Sequence, residues 1–283
     1  MGDSVRLPCQ AGSFYASSER ALRKQIEECF RHDFGSKALP NVREQKLRKT
    51  IALVSPHAGY MYSGPVAAKG YAYVADDGRP DTIVIVGPNH TGYGRGVSIM
   101  LDGVWRTPLG DVKINAELAT DIQRLSEVID LDKGAHLYEH SIEVQLPFLQ
   151  YVYGAFQFVP ICMRMQDVEV SQDVGTAIAR ASAGKNVLII ASTDFSHYEP
   201  QSIAKKNDRL ALDAISRLDE EELQAVVKTH GISMCGYGPV STAIVASKML
   251  GAEKVILLQH KTSGDITGDK RQVVGYASAV MVK

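Results

Sequence analysis

The chain of 283 residues is long enough for one large α/β domain or two small ones, and its 45% hydrophobic and 22% charged residues are ordinary for a soluble globular protein. A formal net charge of −1 excludes a general electrostatic attraction to nucleic acid or to an anionic membrane surface. No apolar run approaches the ~20 residues that cross a bilayer, and residues 1–15 lack the apolar core of a signal peptide, so a cytoplasmic location is expected.

The four cysteines give no sign of a disulfide framework or of a zinc ribbon. They are scattered along the chain and form no C-x-x-C pair. In a reducing compartment such a cysteine is by default a small buried hydrophobic residue. Any chemical role must therefore come from the neighbours of Cys9, Cys29, Cys162 or Cys235.

Apolar runs typical of strands alternate along the chain with segments of helical periodicity. The predicted strands cover residues 51–55, 82–87, 157–161, 187–192, 254–259 and 273–282. The predicted helices cover residues 17–31, 115–127, 141–152, 168–182, 202–216, 219–228 and 239–250. This alternation indicates βαβ units, so we expect an α/β fold with a largely parallel or mixed sheet flanked by helices. Because no internal repeat or linker interrupts it, residues 1–283 are expected to form a single domain.

Local signals predict two helix starts and two solvated segments. Asn115 is expected to cap one helix, and Pro239 is expected to occupy the first position of another. The charge runs at residues 43–49 and 219–222 are most simply exposed surface.

The first predicted core strand ends in a histidine. The run from Ile51 to Val54 is apolar on both faces, which is typical of a strand covered by helices on both sides. Pro56 has no N–H to donate and ends the hydrogen-bond ladder. His57 therefore lies just beyond the carboxyl end of the strand, where ligands bind in open α/β sheets. For this stretch alone, a loop histidine bonded to its own backbone is the alternative.

Two further predicted strands repeat this pattern. The strand at 82–87 is followed by His90, and the strand at 187–192 is followed by Asp194 and His197. Because the carboxyl ends of parallel neighbouring strands lie at one edge of a sheet, these side chains are expected to converge with His57.

A fourth segment concentrates ionisable residues where a helix is predicted to begin at residue 141. It carries His136, Glu139, His140 and Glu143. Ser141 could build a capping box there, or these residues could belong to a site; the two interpretations are compatible.

The fifth segment places Cys235 immediately before a Gly-Tyr-Gly-Pro turn into a helix. The positive end of a helix dipole lowers the pKa of a thiol, so a lowered pKa is expected here. Alone, Cys235 would be interpreted as a buried inert cysteine. With two histidines nearby, it completes a suitable ligand set for iron, copper or zinc, and three protein ligands leave coordination positions open.

Six motifs in this order resemble the Memo family, which is also called AmmeMemoRadiSam system protein B in prokaryotes. They are AGSFY at 11–15, PHAGYMYSG at 56–64, GPNH at 87–90, EHSIEVQLPF at 139–148, STDFSH at 192–197 and MCGYGP at 234–239. The resemblance spans nearly the whole chain.

The resemblance implies a single α/β domain similar to the LigB-type extradiol non-haem iron dioxygenases. By motif position it also implies that His57, His90 and Cys235 are metal ligands. Extradiol enzymes use two histidines and a carboxylate, whereas here cysteine takes the place of the carboxylate. This difference argues against ring-cleaving activity.

The resemblance further implies that Asp194 and His197 are additional pocket residues, with His140 close by as a substrate contact. Members of the family are described both as metal-dependent redox proteins and as binders of phosphotyrosine-containing peptides. The resemblance therefore implies a site without settling its reaction.

The first functional hypothesis is a mononuclear oxidoreductase with its metal held by His57, His90 and Cys235. Fe(II) is the first choice, copper is the second, and zinc remains open. His197, oriented or kept charged by Asp194, would act as the general acid or base.

Two alternatives use the same residues differently. A binding module would recognise a small-molecule or phosphorylated peptide ligand without turnover, with walls formed by Tyr60, Tyr62 and Tyr237. A cysteine hydrolase would instead use Cys235 as a nucleophile activated by His197 and Asp194, and it would need no metal.

Overall fold

The computed structural model describes residues 4–44 and 48–283. In chain order these residues form β1 (Val5–Arg6), α1 (Glu19–Arg31), β2 (Thr50–Ser55), α2 (Tyr60–Asp76), β3 (Thr82–Pro88), β4 (Val97–Ile99), β5 (Val104–Thr107), β6 (Gly110–Ile114), α3 (Ala116–Leu125), β7 (Ile129–Leu131), α4 (Leu146–Tyr153), β8 (Gln157–Met163), α5 (Val168–Ser182), β9 (Val187–Ser192), β10 (His197–Glu199), α6 (Gln201–Ser216), α7 (Glu220–His230), α8 (Tyr237–Met249), β11 (Lys254–Thr262), α9 (Ser263–Thr267) and β12 (Val273–Val282). Two 3₁₀ turns, Gly134–His136 and Glu143–Gln145, precede α4.

The centre of the sheet is parallel, and antiparallel pairs flank it on both sides. The main strand order is β1-β5-β6-β8-β3-β9-β2-β12-β10. Within it, β3 pairs in parallel with β8 and β9, and β9 pairs in parallel with β2. β12 runs antiparallel to β2 and β11. The predicted α/β class with a mixed sheet is confirmed.

Helices cover the central strands. Every residue of β2 and β3 is buried, as expected for strands with apolar side chains on both faces. α8 packs on β3, β9 and β2, while α2 packs on β2 and β12. This cover leaves the carboxyl edge of the sheet as the place where loops can present polar side chains.

Helix α2 was not predicted, because its sequence carries Gly64, Pro65 and Gly70. Tertiary packing explains both glycines. A Cβ at position 64 would overlap the sulfur of Cys29 on α1, and one at position 70 would overlap Leu53 on β2. Close approach to neighbouring elements thus outweighs the low helix propensity of glycine.

The helix predicted at 141–152 begins later, at Leu146. Pro147 lies in its first turn, where a missing N–H costs little. Ser141 forms no capping box, because its hydroxyl donates to the carbonyl oxygen of Pro88 at 2.8 Å. The predicted helix start at residue 141 and the predicted capping box on Ser141 are therefore both wrong.

The other local signals are partly confirmed. Asn115 caps α3 by accepting from the Leu118 N–H, but α8 already begins at Tyr237, so Pro239 is not its first residue. In the run at 219–222, Glu220 is buried and pairs with Lys248, so this run is not wholly exposed. Of the run at 43–49, residues 45–47 lie outside the described residues.

None of the helices in the described ranges combines the length and hydrophobicity of a membrane-spanning segment.

A buried ion pair ties β1 to the segment before α4. Arg6 is only 2% exposed and pairs with the fully buried Glu143. Its guanidinium also donates to the carbonyl oxygens of His136 and Glu139, at 3.0 and 2.8 Å. Glu143 accepts a second charge-assisted bond from the Tyr15 hydroxyl, at 2.5 Å. Glu143 therefore has a structural role.

His136 lies in the core beside this pair. Its side chain is fully buried, and its ring lies edge-on to Trp105. Burial, reinforced by the Arg6 charge, lowers the pKa of His136 to about 4. The imidazole is therefore neutral at physiological pH.

We expect acid to destabilise the fold through His136. Because the pKa of His136 falls to about 4 on folding, the unfolded chain takes up the proton first as the pH falls. Stability that is complete above about pH 6.5 is thus lost toward pH 4, by roughly 3 kcal/mol. Urea unfolding at about pH 7.5 and about pH 4.5 measures the loss. His136→Leu should lose less stability over this range, whereas an equal loss in both proteins would contradict the assignment.

Candidate metal centre

The structure brings three predicted ligands together at the carboxyl edge of the sheet. His57 follows β2, His90 follows β3, and Cys235 precedes α8. One donor atom from each lies within 4.8 Å of the others. The Cys235 Sγ is 3.3 Å from the His57 Nε2, close to the roughly 3.6 Å between N and S ligands of one tetrahedral ion. Two imidazoles and a thiolate thus fit a single transition metal.

The tautomer of His57 is fixed by its neighbours. His57 is 2% exposed, and its Nδ1 lies 2.8 Å from the Ser192 Oγ. The Ser192 hydroxyl donates its one proton to the carbonyl oxygen of Ser141, at 2.6 Å. Ser192 can therefore only accept from His57, so Nδ1 carries the imidazole proton. This leaves the Nε2 lone pair facing Cys235.

The buried side-chain amide of Gln145 holds Ser192 in place. The Gln145 Nε2 donates to the Ser192 Oγ at 2.7 Å and to the Pro56 carbonyl oxygen at 3.1 Å. The hydroxyl of Tyr71 in turn donates to the Gln145 Oε1. The His57 ring is thus held by a chain of hydrogen bonds that reaches into the core.

His90 is held by a buried carboxylate. Its Nδ1 lies 2.9 Å from the Oε1 of Glu139, which is fully buried. The same oxygen accepts from the backbone N–H groups of His140 and Ser141, each at 2.8 Å. Burial raises the pKa of Glu139, but the hydrogen bonds from the His90 ring and the Ser141 backbone outweigh burial and lower this pKa to about 2. Glu139 therefore stays charged.

The ring of His140 lies against the other two imidazoles. It stacks on His90 with centroids 4.6 Å apart and meets His57 edge-on at 5.4 Å. Phe14 contacts its other side at 4.9 Å. Burial lowers the pKa of His140 to about 4, so the ring is neutral at physiological pH. His90, Glu139 and His140 also form a second group of possible ligands, which shares His90 with the first.

The expected lowering of the Cys235 pKa is wrong. Burial of the sulfur, reinforced by Asp194, raises the pKa of Cys235. The backbone N–H of Asp194 donates to the Sγ at 3.2 Å, but α8 begins only at Tyr237. Burial therefore outweighs the helix dipole, and the thiol needs a nearby cation to become a thiolate.

Asp194 and His197 have separate partners. Asp194 is buried and accepts from the His57 backbone N–H at 2.9 Å, and burial raises its pKa to about 6. The His197 Nδ1 lies 2.7 Å from the carbonyl oxygen of Ser233, to which it must donate. Ser233 thus orients the ring that Asp194 was expected to orient, and it leaves the His197 Nε2 as the free nitrogen. Burial lowers the pKa of His57 well below its usual range, and the neighbouring imidazoles act in the same direction.

The three predicted wall tyrosines differ in exposure. Tyr60 lies in the core, where its hydroxyl donates to the Val144 carbonyl oxygen at 2.7 Å. Tyr62 and Tyr237 are partly exposed.

Sequence reasoning missed three residues that surround the centre: Phe14, Ser192 and Gln145. All three lie within the motifs that carry the family resemblance. Their roles depend on tertiary contacts, so only those motifs could have pointed to them.

The centre is an open site. The His90 side chain is 32% exposed. A cavity of about 680 Å³ lies elsewhere, at the opposite edge of the sheet, where Thr50, Thr82 and Val187 line it at or near the starts of their strands. That cavity is separate from the cluster of imidazoles and sulfur.

The family model described as Memo-like protein matches residues 6–280. The chain belongs to the Memo-like family. This Memo-like chain is 50% identical over 278 residues to a MEMO1 family protein of Methanopyrus kandleri, covering 97% of this chain and 98% of the relative. It is also 50% identical over 275 residues to one of Methanothermobacter thermautotrophicus, covering 96% and 99%. The resemblance inferred from the six motifs is confirmed.

The Memo-like chain is also similar to a solved structure, that of an uncharacterized protein from Escherichia coli K12. The TM-score is 0.56 at 14% sequence identity, covering 82% of this chain and 100% of the other. At this identity the similarity supports the fold alone.

Proposed function

We propose that this Memo-like protein is a metal-dependent redox protein with a mononuclear centre. His57, His90 and Cys235 would hold the ion through two imidazole nitrogens and a sulfur. Fe(II) is the first choice, copper the second and zinc the third. The observation that supports this most strongly is the convergence of the three donor atoms within 4.8 Å, together with a His57 tautomer that directs its lone pair toward the sulfur.

When bound, iron or copper would supply one-electron redox chemistry and open positions for dioxygen or a small substrate. A thiolate donates more electron density than the carboxylate of an extradiol site. Redox work is therefore favoured over general catechol cleavage.

The chain's own residues would bind the substrate and move its proton. His197, held through Nδ1 by Ser233, has its Nε2 available to take up or deliver a proton. His140 would contact the substrate beside the ligands, and the partly exposed Tyr62 and Tyr237 would flank it.

The contacts of Cys235 support a ligand role over a nucleophile role. The imidazole next to its sulfur is His57, at 3.3 Å, whereas the ring expected to activate it was His197. Burial also raises the pKa of the thiol, which opposes formation of a free thiolate.

Elemental analysis of protein purified without oxygen and without a metal-binding tag tests the proposal. We expect about one equivalent of iron or copper per chain, removed by a strong chelator together with any redox turnover. Metal-free protein whose ligand binding or hydrolysis survives the chelator would overturn the proposal. Survival of binding alone would favour the binding module, and thiol-dependent hydrolysis would favour the nucleophile.

A further inference from the structure

Glu139 lies between two imidazoles of the centre. Its Oε1 is 2.9 Å from the His90 Nδ1 and 3.4 Å from the His140 Nδ1. The carboxylate is fully buried. Its hydrogen-bond donors are therefore protein groups that the fold places next to it.

The two rings lie nearly parallel. Their planes make an angle of 24°, and their centroids are 4.6 Å apart. Because Nδ1 and Nε2 lie on different edges of an imidazole, a ring that turns Nδ1 toward Glu139 keeps Nε2 free. With both Nδ1 atoms near one oxygen, the stacked rings of His90 and His140 present their Nε2 atoms on a common side.

We propose that Glu139 is a positioning residue of the metal centre: it hydrogen-bonds the His90 Nδ1, contacts the His140 Nδ1, and so directs both Nε2 atoms to the ion and its substrate. This inference rests on the proposed function. It follows the general arrangement in which a carboxylate orients a ligating histidine, where loss of the carboxylate weakens metal binding by roughly 10–100-fold.

Glu139 also shapes the backbone around the centre. It accepts from the backbone N–H groups of His90, His140 and Ser141. A substitution at this position could therefore disturb the fold as well as the rings. The test needs a control that changes a similar carboxylate without touching an imidazole.

Glu143 provides this control. It is equally buried and lies in the same segment, but its partners are Arg6, the Tyr15 hydroxyl, the Cys9 thiol and the backbone N–H groups of Cys9 and Gln10. Glu143→Gln should lower the stability of the apoprotein without changing the metal affinity of the folded fraction.

Titration with Co²⁺ measures both affinity and ligand geometry. In Glu139→Gln we expect affinity at least about tenfold weaker than in the unmodified protein. The thiolate-to-cobalt absorption from Cys235 should remain, while the ligand-field bands change because His90 is misdirected. Loss of structure alone would move the apoprotein melting temperature and leave these bands unchanged.

A double-mutant cycle with His90→Ala separates the two roles of Glu139. If Glu139 acts through His90, its tenfold penalty should shrink to below about threefold once His90 is absent. A penalty of full size in the His90→Ala background, or unchanged affinity and bands in Glu139→Gln, would overturn the inference. Failure of the unmodified protein to bind Co²⁺ with a thiolate band would instead overturn the proposed function, and this inference with it.

Discussion

Replacing Cys235 with serine should lower the metal affinity by at least roughly tenfold and leave the fold intact, because a hydroxyl is a poor ligand for a borderline or soft metal. His57→Ala should lower the affinity as well, since it removes the Nε2 atom that faces the sulfur at 3.3 Å. Metal content after dialysis against a chelator, and competition titration, measure both effects.

Cys9→Ser is the matched control for this experiment. Like Cys235, Cys9 is a partly buried free cysteine, but its sulfur contacts Glu143 and Arg6. Its replacement should leave metal content unchanged. If stoichiometric iron or copper persists in both Cys235→Ser and His57→Ala, the metal site lies elsewhere in the protein.

Arg6→Ala should lower the free energy of unfolding by about 3–5 kcal/mol, the usual cost of leaving one partner of a buried ion pair uncompensated. Arg6 is 2% exposed and Glu143 fully buried, so water cannot solvate the remaining carboxylate. The variant also loses the two bonds to backbone carbonyl oxygens. Urea denaturation followed by far-UV circular dichroism gives the difference.

Arg106→Ala tests whether burial is the cause. Arg106 pairs with Asp111 at 2.7 Å, but the two side chains are 49% and 39% exposed. Its loss should cost at most about 1 kcal/mol, because water screens an exposed pair. If the two arginine variants lost similar free energies of unfolding, burial would not be the reason that the Arg6 ion pair stabilises the fold.

The central strands could be predicted from sequence because their signal is local. The strand predicted at 187–192 is observed with those bounds, and that at 82–87 extends by one residue. Both strands are continuous apolar runs, the pattern expected when helices cover both faces of a strand. The short strands β4 to β7 were missed, since their few residues give too little pattern to stand out.

The convergence of His57 and His90 could likewise be predicted, because parallel strands that end in polar residues leave few other arrangements. The groups that orient these two histidines could not be predicted. From sequence alone, Ser192 is the last residue of a predicted strand. Its role at the centre depends on the direction in which its hydroxyl donates a hydrogen bond. The environment of Cys235 was mispredicted for a related reason, since burial of a sulfur is set by the whole fold.

The order of the central strands has a consequence for biosynthesis. β3 lies between β8 and β9, so the strand that carries His90 acquires its neighbours only after β9 has been synthesised. The sulfur donor, Cys235, is added later still. A nascent chain that ends before Cys235 therefore lacks one of the three proposed ligands, so the complete centre can form only after the start of α8 has been synthesised.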